Sequence, residues 1–438
     1  MAGIFKAYDI RGIYGDTLTD EIAYQIGRAF VSFLNCKKVV VGRDMRAHSE
    51  AVYAALARGL TEQGADVIDI GLSSTPMCYF ANGKLGADAS LMITASHNPG
   101  EWNGFKLCRA DAVPISGATG IADIEALVAR GEYESPSAQG SIESYDIAAE
   151  YKAHIAKHAN IDGALKVAVD YANAMGIVEH RAIEGLFEQI DLFGELDGDF
   201  PNHEANPLNL ETLEDVQKAV VENHCDFGIA YDGDADRVGF VDENGDVVPM
   251  DFITALIAKT MLQSKQGNVL YDLRSSNAVA ETITENGGTP IKSRVGHAFI
   301  KQQMREHKAI FAGELSGHYY FEENYCAESA ALAVIFIANL VSQTKQALSQ
   351  LIAPIKRYVA SGEINSKVAD TDAVFARLRE NYPQAEFEEL DGLTVILPEW
   401  WFNVRSSNTE PLVRLNLEAA DEVTMEAKRD EVLDIIRA

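Results

Sequence analysis

Three aspartates at alternate positions, Asp232, Asp234 and Asp236, with Arg237 directly after them, form the densest group of reactive side chains in this sequence. They lie in FGIAYDGDADRVGF, where an apolar run delivers them into a short loop. Carboxylates two apart on such a loop converge on one hard divalent cation, and Mg²⁺ takes a few carboxylates plus phosphate or water oxygens. Three carboxylates beside a buried strand repel one another unless a cation is present. A metal centre is the reading this spacing favours.

Three other readings compete with it. An EF-hand loop has Glu243 at its twelfth position, but its sixth must be Gly and is Arg237, and VGFVDENGDVVP at 238–249 reads as a strand pair with a turn. A haloacid-dehalogenase-type phosphotransferase, D-x-D-x-[TV], makes Asp232 the nucleophile, yet Asp236 stands where Thr or Val belongs. An acidic hairpin without a ligand leaves the repulsion unrelieved.

The second group is LMITASHNPGEWNGFKL at 91–107, where an apolar run opens onto Ser96, His97, Asn98 and later Lys106. A G-x-S-x-G elbow is absent. Neighbours in an extended chain point opposite ways, so a Ser96–His97 hydrolase pair is not expected. A serine that carries a phosphoryl group, neutralised by the metal loop and faced by Lys106, suits these residues better.

Three more loops carry weaker signals. GELSGHYYF offers Glu314, Ser316 and His318 at alternate positions, a carboxylate and a hydroxyl suited to vicinal sugar hydroxyls. VRSSNTEP offers Arg405 with Ser407, Asn408 and Thr409, one guanidinium fork plus hydroxyls and free amides for a terminal phosphate. FKAYDIRG places Tyr8 and Arg11 ahead of any helix, and His297 stands at a helix entrance after Gly296.

The elements that must hold these loops are α/β in rhythm. Thr19 caps a helical stripe at 22, 26, 29, 30 and 33, VVVGRD at 39–44 is a buried strand, and Ser49 starts a helix that Gly64 ends. The unit strand–loop–helix recurs at LKVAVDYANAMG, DFGIAYDGDAD, GNVLYDLRSSN and AIFAGELSGHYY, which predicts parallel layers with functional loops at strand ends. Polar RGEYESPSAQGSIES at 130–144 reads as a linker. Near SGEINSKVADTD at 361–372 the rhythm stops, and two or three strands plus a C-terminal helix are expected after it. The predicted division is 1–143, 144–245, 246–362 and 363–438.

Composition narrows the function. The chain has 438 residues and a formal charge of −29, from 37 basic and 66 acidic side chains. That field repels nucleic acid and anionic membranes, so neither is an expected partner. A phosphorylated substrate would need cations gathered locally. AALAVIFIANLV at 330–341, the longest apolar stretch, is shorter than the roughly 20 residues of a membrane helix and reads as a buried helix. Five scattered cysteines with no C-x-x-C fit a reducing cytoplasm.

Taken in order, FKAYDIRG, TASHNP, DGDADR, GELSGH and RSSNTEP resemble the α-D-phosphohexomutases over the whole length, most closely the phosphomannomutase/phosphoglucomutase branch. The resemblance implies four domains around a central cleft, three related mixed α/β units and a smaller α+β C-terminal domain. It implies phosphorylation of Ser96, Mg²⁺ on Asp232, Asp234, Asp236 and a phosphoserine oxygen, and sugar O3 and O4 held by Glu314 and Ser316. The non-transferring phosphate falls to Arg405, Ser407, Asn408 and Thr409. Tyr8, Arg11, Lys106, His97, Arg237, His297 and His318 match further active-site positions, with Arg274 in place of a lysine. The expected reaction moves a phosphoryl group between C1 and C6 of mannose or glucose phosphate, through a hexose 1,6-bisphosphate that also serves as activator. A monomer or homodimer is expected. One departure is DGDAD where DGDGD is frequent, since Ala235 takes φ > 0 less freely than Gly.

Overall fold

The computed structural model describes residues 3–134, 136–406 and 412–438. Four sheets follow one another along the chain. In the first, Lys38–Arg43 lies between Asp66–Leu72 and Ala89–Ile93, all parallel, because each is an apolar run that helices cover. Trp102–Arg109 then returns antiparallel beside Ala89–Ile93 and pairs on its other side with Ile10–Ile13. Ile142–Ser144, inside the stretch read as a linker, pairs with the far edge of this sheet. The helix capped by Thr19 spans Asp20–Leu34, and its cap oxygen accepts from Ile22 N. The one starting at Ser49 runs to Glu62, with Gly64 at φ +91° beyond it.

The second sheet has Phe227–Tyr231 and Glu188–Leu192 parallel to Lys166–Asp170, and the third has Asn268–Asp272 parallel to both Thr289–Ser293 and Ala309–Gly313. Here the structure departs from the expected rhythm. After DFGIAYDGDAD and AIFAGELSGHYY the chain does not enter a helix. It folds back as Val238–Val241, the strand expected at VGFV, and as Tyr319–Phe321, each antiparallel to the strand before the loop. The serine loop has the same construction, between Ala89–Ile93 and Trp102–Arg109. Three domains thus present their reactive loops as the turns of β-hairpins.

The fourth sheet is wholly antiparallel, in the order Val359–Lys367, Leu412–Ala419, Trp400–Ser406, Leu393–Ile396, Glu386–Glu388. Five strands replace the two or three expected, and the helix Thr371–Asn381 joins the C-terminal Glu422–Arg437. Val359–Lys367 alternates poorly and is interrupted by a register shift between Ala360 and Glu363, with Gly362 at φ +69°, so its pattern does not read as a strand.

Packing groups these units unequally. Val40 and Met92 of the first sheet, Val167 and Ile229 of the second, Val269 and Phe311 of the third, and the helix Ala330–Thr344 share one continuous apolar core. The first domain has a further core on the other face of its sheet, including Phe30, Val41 and Leu56, and the fourth keeps one of its own, including Leu378, Phe402, Leu415 and Val432. Among the described residues no helix is long and apolar enough to cross a membrane.

Candidate active site

Ser96 is fully buried, and its backbone takes φ +53°, the left-handed region that L-residues avoid. This conformation is what aims the hydroxyl. Ser96 Oγ donates to Asp232 Oδ2 at 3.0 Å, across 136 positions of sequence. It also lies 3.2 Å from His97 Nδ1, contrary to the expectation that the two side chains diverge. That expectation assumed an extended chain, and a left-handed residue breaks the alternation. His97 remains a poor base: burial, and then the charges of Arg237 and Arg11, push its pKa down to about 2.

The serine loop is held from within by Arg46, a residue the sequence did not single out. Its guanidinium is paired with Asp44 and donates to four backbone carbonyls, those of Ser96, Asn98, Pro99 and Trp102, at 2.6–3.0 Å. The available signal was D-M-R directly after a buried strand. Arg11 adds bonds to Asn98 Oδ1 at 2.5 Å and Ala95 O at 3.2 Å, and is itself paired with Asp9.

Oxygens of Asp232, Asp234 and Asp236 lie within 4.8 Å of one another, and all three side chains are buried. Lys106, opposite Met92 in the hairpin, places Nζ 2.5 Å from Asp234 Oδ2 and also on Asp236. Burial and the two neighbouring carboxylates push Asp232 up, while Lys106 and His318 hold Asp236 low against its own burial. Burial works against charge on Lys106 too, but Asp234 and Asp236 keep its ammonium protonated well above the usual range. Asp234 Oδ1 is buried and has no hydrogen-bond partner among the described residues. Converging carboxylates with an orphaned oxygen fit a hard divalent cation.

Ala235 stands at φ +58°, so the loop does adopt there the conformation that Gly would take more easily. Arg237 N donates to Asp232 Oδ1 at 3.1 Å, and its Nε faces His318 Nε2 at 3.4 Å. His318 links two loops: Nε2 is 3.3 Å from Asp236 Oδ1, and Nδ1 is 3.2 Å from Glu314 Oε2 and 2.8 Å from Ser316 Oγ. Burial opposes its charge, yet Asp236 and Glu314 raise its pKa to about 9. Glu314 is buried, but His318 and the Tyr320 hydroxyl at 2.7 Å hold its carboxyl well below the usual range. Its other oxygen accepts from Gly296 N at 3.0 Å, which ties it to the turn before His297.

The remaining candidates surround this centre. The Tyr8 ring meets those of His297 and Phe299 edge-on at 5.6 and 5.9 Å. His297 Nδ1 is 3.7 Å from the buried Glu328. Arg274 is paired with Asp272 at 2.7 Å and reaches toward Glu363 at 3.9 Å. Glu363 accepts from Arg405 at 2.5 Å, so one carboxylate of the fourth domain joins both arginines. No motif in the sequence marks Glu363. Ser407, Asn408 and Thr409 lie outside the described residues.

Four family descriptions match in succession: phosphoglucomutase/phosphomannomutase α/β/α domain I over residues 2–135, domain II over 149–245, domain III over 249–358, and the C-terminal domain over 363–435. The chain belongs to the phosphoglucomutase/phosphomannomutase family. A phosphomannomutase of Methanocaldococcus jannaschii is 42% identical over 442 residues, covering 99% of this chain and 97% of the relative. One of Escherichia coli is 40% identical over 450 residues, covering 99% of each. Among solved structures, a phosphoglucomutase/phosphomannomutase family protein from Burkholderia thailandensis aligns with a TM-score of 0.92 at 32% identity, over 99% of this chain and 96% of the other. In this member of the family the serine, aspartate and GELSGH loops meet through Asp232, Asp236 and Glu314.

Proposed function

We propose that the protein is a phosphohexomutase that moves a phosphoryl group reversibly between C1 and C6 of mannose phosphate, and of glucose phosphate. The segments 1–143, 144–245, 246–362 and 363–438 each contribute one loop to the cleft. The observation that carries this reading is the contact of Ser96 Oγ with Asp232 Oδ2 at 3.0 Å, which joins a buried hydroxyl to the aspartate trio. Phospho-Ser96 donates to the free hydroxyl of a bound monophosphate and gives a 1,6-bisphosphate. That intermediate turns round, and its other phosphate returns to Ser96.

Asp232, Asp234, Asp236 and the phosphoserine would hold Mg²⁺, which when bound supplies positive charge to the transferring oxygens. The chain's own residues do the rest. Lys106 and Arg237, both beside the trio, stabilise charge on the phosphoryl group and align it for in-line transfer. Glu314, kept ionised, and Ser316 accept the O3 and O4 hydroxyls in the middle of the ring, so either end can face Ser96. Arg405, with Ser407, Asn408 and Thr409, grips the phosphate that is not transferred, and Tyr8, Arg11, Arg274 and His297 complete the walls. Mannose and glucose differ at C2, which these groups do not address. Arg11, Lys106, Arg237, Arg274 and Arg405 supply the local cations that a chain of charge −29 needs to hold an anion. We place the enzyme in the cytoplasm, where its five unpaired cysteines stay reduced.

Incubation with labelled glucose 1,6-bisphosphate, followed by peptide mass spectrometry, tests the reading. Label is expected on Ser96, stable to hydroxylamine, and absent from Ser96→Ala. An acyl phosphate on Asp232, or no label on the parent, would overturn it.

A further inference from the structure

The helix Thr75–Lys84 of the first domain begins against the aspartate loop of the second. Its first-turn donors are accounted for one by one. Ser74 caps it, with Oγ accepting from Met77 N at 3.2 Å, and Pro76 has no N–H to place. The Thr75 N–H donates instead to the Asp234 carbonyl oxygen at 3.0 Å. The Thr75 hydroxyl makes a second bond to the same residue, donating to Asp234 Oδ2 at 2.5 Å. Thr75 and Asp234 are both 0% exposed.

Lys106 Nζ approaches that same Oδ2 at 2.5 Å. Among the described residues every side-chain hydrogen bond of Asp234 therefore falls on one oxygen, while the buried Oδ1 has none. A carboxylate anchored through one oxygen by two donors has its plane fixed, and its second oxygen is aimed. Outer partners of this kind orient the groups that bind metals. The start of the helix is itself held from two sides. Ser74 Oγ donates to Glu179 Oε2 at 2.5 Å, and Glu179 Oε1 accepts from Tyr151 of the second domain and from Ala331 N of the third.

We propose that Thr75 is a positioning residue for phosphoryl transfer: its hydroxyl fixes Asp234 so that Oδ1 faces the cation. The proposal rests on the reading of the trio as a Mg²⁺ site. Valine at 75 keeps the β-branch, the backbone preference and the N–H, and removes only the hydroxyl donor. Serine keeps the donor.

The test is Mn²⁺ titration of the whole, substrate-free protein by electron paramagnetic resonance, with Mg²⁺ as competitor. Thr75→Val is expected to weaken binding about tenfold, the lower end of the range for lost outer-shell partners, and Thr75→Ser to stay within about threefold of the parent. In turnover assays T75V should need more Mg²⁺ for half-maximal rate, with KM for mannose phosphate unchanged at saturating Mg²⁺. T75V binding as tightly as the parent overturns the proposal, and so does an equal loss in T75S. A parent protein that binds no Mn²⁺ overturns the reading of the trio instead, so the two failures differ. If circular dichroism shows T75V unfolded, Thr75→Cys against Thr75→Ser decides: the weak thiol donor must lose affinity where the hydroxyl keeps it.

Discussion

Gly233 and Ser96 meet backbone to backbone: a Cβ added at Gly233 would stand 2.1 Å from the Ser96 carbonyl oxygen. No side chain fits there, and the contact sets how closely the aspartate loop approaches the serine.

Gly233→Ala must therefore push the two loops apart. Overpacking of this kind costs about 1–3 kcal/mol of stability. The larger effect is expected on function, with Ser96 labelling by a bisphosphate slowed at least tenfold in protein that still melts cooperatively. Labelling at the parental rate would mean that the backbone yields without separating hydroxyl and carboxylate.

Ala235 predicts the opposite sign. At φ +58° it pays the left-handed penalty of about 1–2 kcal/mol, which Gly escapes while losing about 0.5–1 kcal/mol to greater freedom when unfolded. Ala235→Gly should leave stability unchanged or raise it by up to about 1.5 kcal/mol, with Mg²⁺ dependence intact. Denaturant melts compare the two, and a clear loss of stability in the variant would refute the strain argument.

Glu179 makes stability depend on pH. Burial raises its pKa to about 7, against an ordinary 4.5, even though Ser74, Tyr151 and Ala331 N donate to it. Between those values the folded protein keeps a proton that the unfolded chain has released. Stability therefore falls as pH rises from about 4.5 to 7, by a total on the order of 3 kcal/mol. Glu179→Gln, which preserves shape and can still accept from Tyr151, should flatten that slope and exceed the parent in stability at pH 8. Melts from pH 5 to 8 check it, and an unchanged slope would assign the effect to another group.

The aspartate trio was legible because alternation on a loop is a local property, as were the apolar strands that carry it. The approach of Ser96 to Asp232 was legible only through the chemistry that would join the two loops and the family resemblance, since nothing within either motif encodes a contact 136 residues away. Arg46 escaped because it binds backbone carbonyls, which leave no trace in side-chain identity. Thr75 and Glu363 were missed for a related reason: each acts on another functional residue. VGFV is legible as a strand, but the return strand Tyr319–Phe321 is not, because it is short and buried, too brief to show a period. Ser96 and His97 illustrate the limit of local rules, since one left-handed residue reversed an inference drawn from extended geometry.

The shared interior running from Val40 to the Ala330–Thr344 helix, set against the separate one around Phe402, has a thermodynamic meaning. Of the four domains, only the fourth takes no part in the shared interior. The first three should rise or fall together on heating, while the C-terminal quarter retains the freedom to loosen alone. A catalyst that must let a bisphosphate rotate without losing it benefits from having just one wall that can yield.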